Sequence, residues 1–344
     1  MAPLIVTSLV LLASIHSSNA VPTSHRRATT ASSIPDYALT YAPHVYISGT
    51  EQWFPSDIAT HVEHVSMEYD YVNVSTSVTL ETLTTYNSSI YMTSVDNVED
   101  DPEWLLATYG KPDADTGYSA APGTIIAVQK TVDGEEVVDV FYFFFYSYNH
   151  GTKVLGTMID NHVGDWEHAM QAKIRFSNGE PQNVYLSAHT SGAAYAYSAM
   201  TLEGVRPVTY SAVGTHANYA TSGSHSIYSI LGNLVTDTTS AGYYWDITQN
   251  YRGYWFDDST STFTSVGGVG IGASEEVGEG VDWLSWLGFW GDEEYPRSDS
   301  RQDCVLDLDE LCHYESGPTG PLGKNLGRST PCESNDDCDI KTSL

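Results

Sequence analysis

Over long stretches the apolar residues of the chain recur with a period of two, the repeat of a pleated strand that turns one face to a core. Thr124 to Lys130 and Glu136 to Tyr148 read as two such strands, joined through Asp133-Gly134, a strong hairpin pair. The second contains Val137-Val138-Asp139-Val140-Phe141-Tyr142-Phe143-Phe144-Phe145-Tyr146 and is apolar on both faces, which places it at the centre of a sandwich. From Asp165 the alternation becomes two-sided. Trp166, Met170, Ala172, Ile174 and Phe176 form an apolar stripe, while Asp165, Glu167, Gln171, Lys173 and Arg175 line the polar face. Ala42 to Ile47, Asn183 to His189 and Val208 to Ala212 read as further strands, and Tyr243 to Asp246 and Tyr254 to Asp257 as aromatic strands or packed loops. The Ser/Thr-rich stretch Asn73 to Asn97 reads as an exposed loop, and Val266 to Gly272 as a flexible glycine-rich run. Together these elements predict an all-β fold, a jelly-roll-like β-sandwich with long loops over residues 41–300.

The ends of the chain read differently. Leu4 to Ile15 is a short apolar run closed by Ser18-Asn19-Ala20, the pattern of a signal peptide over residues 1–20. Residues 21–40 then read as a disordered leader or a pro-segment, with His25-Arg26-Arg27 either a processing site or a plain basic loop. All four cysteines, Cys304, Cys312, Cys332 and Cys338, fall in the tail 301–344, where an even, clustered set implies two local disulfides in an oxidising compartment. Asn73-Val74-Ser75 and Asn87-Ser88-Ser89 are glycosylation sequons, which act only in such a compartment. The expected location is therefore secreted or the lumen of the endomembrane system, including the vacuole. Beyond the leader no apolar run reaches the roughly 20 residues that a spanning helix needs, so no transmembrane segment is expected.

Charge narrows the partners. Forty-four acidic residues against fourteen basic ones give a formal charge of -30, which repels nucleic acid and anionic membrane. A small molecule, a glycan or a lumenal protein remain open as partners, and the sequence does not fix an oligomeric state.

The densest chemistry lies in His162-Val163-Gly164-Asp165-Trp166-Glu167-His168. Alternation sets Asp165 and Glu167 on one wall and leaves Trp166 and His168 on the other, with His162 just upstream. Two carboxylates with an imidazole suit a divalent metal, and magnesium, calcium, manganese and zinc are all compatible with that set. The alternative is that the acids pair with Lys or Arg and cap loops. His189, at the end of a polar strand face, and His216, within Gly214-Thr215-His216-Ala217, are candidate ligands or, with Glu167, candidate catalytic groups beside a metal-bound water. His150, in Asn149-His150-Gly151, ranks below them.

Asn161 to His168, the run on to Phe176, Val184 to His189, Tyr210 to Ala220 and Gly317-Pro318-Thr319-Gly320-Pro321 occur in the order seen in a known family. In these motifs the chain resembles the fungal vacuolar-protein-sorting-associated family, the sixty-second of that series, from about Tyr41 to Pro331. The resemblance implies a role in delivery to the vacuole and specifies no chemistry. His162, Asp165, Trp166 and Glu167 also resemble the Gly-His-Arg-His-Asp-Trp-Glu motif of necrosis-inducing, ethylene-inducing-peptide-like toxins, with departures at Asn161, Val163 and Gly164. That similarity implies a divalent-metal site at His162, Asp165 and Glu167 on a β-sandwich. Three functions follow as expectations: a lumenal trafficking protein or binding module, a metal-dependent secreted enzyme that is hydrolytic or tailors a metabolite, and a toxin-like binder of glycosylated lipid. Whether the chain is an enzyme is open at this level.

Overall fold

The computed structural model describes residues 32–166, 171–189, 191–230, 233–270, 280–305, 311–333 and 338–344. The expected signal peptide, the start of the leader and two of the singled-out residues, Glu167 and His168, lie outside the described residues.

The strands run β1 His44–Ile47, β2 Val65–Tyr69, β3 Val72–Ser75, β4 Tyr91–Ser94, β5 Gly123–Val132, β6 Glu135–Phe143, β7 Tyr146–Val154, β8 Thr157–Asp165, β9 Gln171–Ser177 and β10 Glu180–Ala188. They continue as β11 Ser191–Ala196, β12 Leu202–Glu203, β13 Arg206–Ser211, β14 Asn218–Tyr219, β15 Gly223–Ile230, β16 Asn233–Thr239, β17 Tyr243–Trp245, β18 Tyr251–Asp257, β19 Thr262–Val269 and β20 Ile340–Lys341. An eight-stranded sheet, in the order β19-β18-β5-β6-β9-β10-β11-β20, forms the centre. A five-stranded sheet built on β12-β13-β1-β17 packs on one of its faces: Val45, Ile47 and Trp245 share a core with Ile125, Val140, Tyr142, Ile174 and Leu186. The other face carries a second core, in which Ile126, Phe141, Phe143 and Tyr254 meet Met67, Met92 and the indoles of Trp166, Trp283, Trp286 and Trp290. The all-β sandwich is thus the observed fold.

The central placement of β6 follows from its sequence. With apolar residues on both faces it can lie only where both are covered, and it pairs with β5 and β9 on its two edges. The turn expected at Asp133-Gly134 closes the β5–β6 hairpin, with φ of 52° and 86° at the two residues.

Several local expectations are corrected. The run expected as one strand to Tyr148 breaks after Phe143, and β7 pairs with β8 in a separate two-stranded sheet. The strand expected from Asp165 onward does not start there: Asp165 is the last residue of β8, and β9 begins at Gln171. The loop expected over 73–97 holds β3 and β4 of a three-stranded sheet, and the run expected to be flexible from Val266 to Gly272 begins within β19, its last two residues lying outside the described residues. Within the stretch expected as a leader, Asp36–Thr40 is helical and Ile34 and Ala38 are buried, so its last residues are part of the fold.

The tail is part of the fold as well as the carrier of two disulfides, Cys304–Cys312 and Cys332–Cys338. Its anchor is electrostatic. Asp139 of β6 is fully buried and receives Arg175 Nε at 2.7 Å and Nη2 at 2.8 Å, with Lys173 and Lys130 each at 3.2 Å. Burial alone would raise the Asp139 carboxyl, but the Lys173, Arg175 and Lys130 cations hold it well below the usual range. The same lysines reach across to the tail. Lys130 donates to the carbonyls of Leu326 and Arg328, and Lys173 to that of Thr330, while the Arg328 guanidinium lies over Phe141 and Tyr185. Lys173 and Arg175, expected on a polar face, are therefore buried beneath residues 324–331.

Asp139→Ala strands these cations without their carboxylate. The expected loss in urea unfolding is about 3–5 kcal/mol, and a loss under about 1 kcal/mol contradicts this account of how the tail is held.

Candidate functional site

The site is assembled by the β7–β8 hairpin, the segment Glu51–Trp53 and the loop 212–217. Two carbonyl contacts close that loop on itself, Ala212 N–H to Ala217 O at 2.9 Å and His216 N–H to Ala212 O at 3.1 Å. It is tied outward where His150 N–H donates to Gly214 O and Val213 N–H to Thr238 O, each at 3.0 Å. Gly214 has φ of 74°, and a Cβ there would lie 2.5 Å from the His150 carbonyl oxygen, so only glycine allows this approach.

The next two residues point into different clusters. His216 is wholly buried, its ring stacked on Tyr146 with centroids 3.7 Å apart. Its Nδ1 lies 3.0 Å from Asp165 Oδ2 and its Nε2 lies 3.2 Å from the Trp53 carbonyl oxygen, with Glu51 Oε2 at 3.8 Å. Both ring nitrogens thus face oxygen acceptors. Glu51 is held in turn by backbone donors: Gln52 and Trp53 N–H on Oε1, and Gly214 N–H on Oε2. Burial, and then the Glu51 and Asp165 charges, push the Tyr146 phenol far above its ordinary value, although its bond to Ser211 acts the other way.

Thr215 serves the second cluster. Asp237 of β16 accepts from Thr215 Oγ1 at 2.8 Å, from His189 Nε2 at 2.7 Å and from Tyr219 OH at 2.7 Å. Burial would raise its carboxyl, but the hydrogen bond and charge of His189, followed by the two hydroxyls, hold it below the ordinary value. The Asp237 carboxylate is buried too, but the residue lies beside open space. A cavity of about 330 Å³ is walled by His150, Thr152, Lys153, Gly214, Asp237 and Thr238, among others. His150 stacks on Trp53 at 3.8 Å, and burial lowers its basicity. His189 and His216 both adopt left-handed backbone, with φ of 52° and 55°. For a side chain with a Cβ that conformation is costly, and it persists where the surroundings fix it, most often at sites.

Two residues singled out in the sequence, Asp165 and His216, are therefore brought into direct contact, and His189 joins the neighbouring cluster. Of the three expected metal ligands, His162 and Asp165 are described and Glu167 is not. Asp165 Oδ2 is engaged by His216, His162 turns its Nδ1 to Gly164 O at 3.0 Å, and Glu167 lies outside the described residues. Among the described residues no group of three His, Cys, Asp or Glu is placed to hold a metal ion. Asp165 closes β8, and the expected face shared with Glu167 runs outside the described residues. Glu51 and Asp237 carry no signal as strong as that of the histidine motif. The one available hint is an acid standing alone inside the β-branched run Val235-Thr236-Asp237-Thr238-Thr239.

Comparison with known proteins places these residues in a family. Residues 26–293 match the family described as Vacuolar protein sorting-associated protein 62, Vps62. The chain is 34% identical to the Putative vacuolar protein sorting-associated protein TDA6 of Saccharomyces cerevisiae, over 92% of this chain and 72% of that protein. It is 32% identical to Vacuolar protein sorting-associated protein 62 of the same yeast, over 87% of this chain and 68% of that protein. Among solved structures, it is similar to the Necrosis and Ethylene inducing Protein 2 from the causal agent of cocoa's Witches Broom disease. That match has 14% identity over 55% of this chain and 69% of that one, and a TM-score of 0.27, too low to carry a site or an activity across. Among the described residues no helix is long and apolar enough to cross a membrane.

The two clusters differ in what they contribute. Asp165→Ala leaves His216 buried without its carboxylate, with an expected loss of about 3–5 kcal/mol in chemical denaturation. Lys153→Ala at the exposed rim of the cavity is expected to stay within about 0.5 kcal/mol of the parent. Equal effects from the two changes contradict the assignment.

Proposed function

The chain belongs to the Vps62 family, and from that premise we propose that it is a noncatalytic binding module of vacuolar protein sorting, working in the endomembrane lumen. The observation that carries this reading is the contrast between its two histidine–carboxylate pairs. Asp165 and His216 have the composition of a catalytic dyad, yet both side chains are fully buried and each ring nitrogen of His216 is already committed. A general base has to reach the proton it takes, and this one is enclosed by Trp53, Tyr146 and Glu51. The pair holds the loop in place.

In the second pair the carboxylate of Asp237 is also buried, but its partner His189 is 17% exposed, and the cavity beside it offers hydroxyls and main-chain groups with one lysine and one imidazole. Such a lining suits a small, hydroxyl-rich ligand such as a sugar, bound by several modest hydrogen bonds in a preformed concavity. Location supports the reading too: sequons, an apolar leader and cysteines paired as disulfides all belong to the lumenal side.

A strain lacking the gene is expected to release vacuolar hydrolases into the medium. The wild-type chain should restore retention, whereas Asp237→Asn, expressed to the same level, should lose most of it. Normal hydrolase sorting in the deletion strain, or full rescue by Asp237→Asn, refutes the proposal.

A further inference from the structure

The hairpin of β2 and β3 exposes several large side chains close together. Tyr69, Tyr71, Val72 and Val74 are 53%, 48%, 63% and 51% exposed, four large apolar or aromatic side chains within six positions. The turn is tight, with φ of 51° at Asp70 and 58° at Tyr71, and the Tyr71 hydroxyl donates to the Glu294 carbonyl at 2.7 Å, so the hairpin is fixed against the body. Its sheet has the order β3-β2-β4, which leaves β3 at the rim with β2 as its only strand partner among the described residues.

An edge strand with apolar side chains is a template for pairing with another chain, and proteins usually blunt such edges with lysine, proline or an inward-pointing charge. β3 is short and its pairing with β2 shifts register at Met67/Glu68, but its sequence Val72-Asn73-Val74-Ser75 has no lysine, proline or charge. It has a sequon instead, and Asn73 is exposed at the middle of the uncovered strand.

We propose that Asn73 carries an N-linked glycan whose task is to cover this apolar edge and keep the chain from pairing with copies of itself. In the modification the Asn73 side-chain nitrogen loses a proton and bonds to the anomeric carbon of an oligosaccharide. The bond from that carbon to a polyprenyl diphosphate breaks, and the diphosphate departs with the electron pair. The inference rests on the lumenal reading above, because the donor is confined to that compartment. Asn87 separates the two ideas: it is also exposed, at a turn where Ser89 N–H donates to its Oδ1, but it lies outside any strand.

The test is glycopeptide mass spectrometry of the full chain secreted from a eukaryotic host, followed by sedimentation velocity of the wild type, Asn73→Gln and Ser75→Ala. Ser75→Ala removes the sequon and keeps Asn73, so it guards against a folding defect specific to the Asn73 change. Occupancy of Asn73, a monomeric wild type, concentration-dependent association of both variants and a return to monomer when Val72→Lys is added to Asn73→Gln are the expected results. An empty Asn73 beside an occupied Asn87 sinks the cover and leaves the lumenal reading standing. If both are empty, both ideas fall. Folded variants that stay monomeric at every concentration overturn the covering role.

Discussion

A carboxylate taken out of water on a strand with no exposed face costs several kcal/mol unless cations come to it, and Asp139 sits on such a strand. From Val137 onward β6 is apolar on both sides and covered on both sides, so its one buried acid has to be neutralised from within. Arg175 and Lys173 on the neighbouring β9 and Lys130 on β5 do this. Three cations around one carboxylate leave donors to spare, and those donors find the carbonyls of the tail. The tail is thereby committed to the face of the sheet, where Arg328 lies over Phe141 and Tyr185 and completes the cover.

Covering both faces of the large sheet pushes the open, polar surface elsewhere, to the β7–β8 hairpin and the loop that clasps it. There Gly214 allows the main chain to approach His150, and Thr215 and His216 send their side chains to two different carboxylates. One carboxylate, Asp165, is enclosed and fixes the loop. The other, Asp237, is held by His189, Thr215 and Tyr219 at the wall of a cavity. Both carboxylates are buried, and the pairs differ in their histidines: His216 has no exposed surface, whereas His189 is 17% exposed.

The sandwich, its central strand and the β5–β6 hairpin were legible because they rest on local signals: two-faced apolar composition in β6 and Asp133-Gly134 at the turn. The pairing of Asp165 with His216 was half legible, since both were singled out but nothing in the spacing says that residues 51 positions apart will touch. Reading Asp165 as the start of a strand failed because alternation alone does not mark where a strand ends, and β8 stops there. Glu51 and Asp237 went unseen for a related reason. Each is one acid in a chain with forty-four, and only the fold tells which of them leaves solvent. Lys173 and Arg175 were misjudged as a polar face because the cover over them comes from a tail more than 140 residues later, whose contacts no periodicity records.

Whether the sealed pair or the cavity wall is the working surface can be measured on the folded protein by labelling histidines with diethyl pyrocarbonate and reading the products by mass spectrometry. His150, which borders the cavity, is expected to react, while His216, with no exposed surface, stays unmodified until the chain unfolds. Modification of His216 at the rate of His150 in the native protein contradicts the account, since it would show that the dyad is open to reagents the size of a substrate.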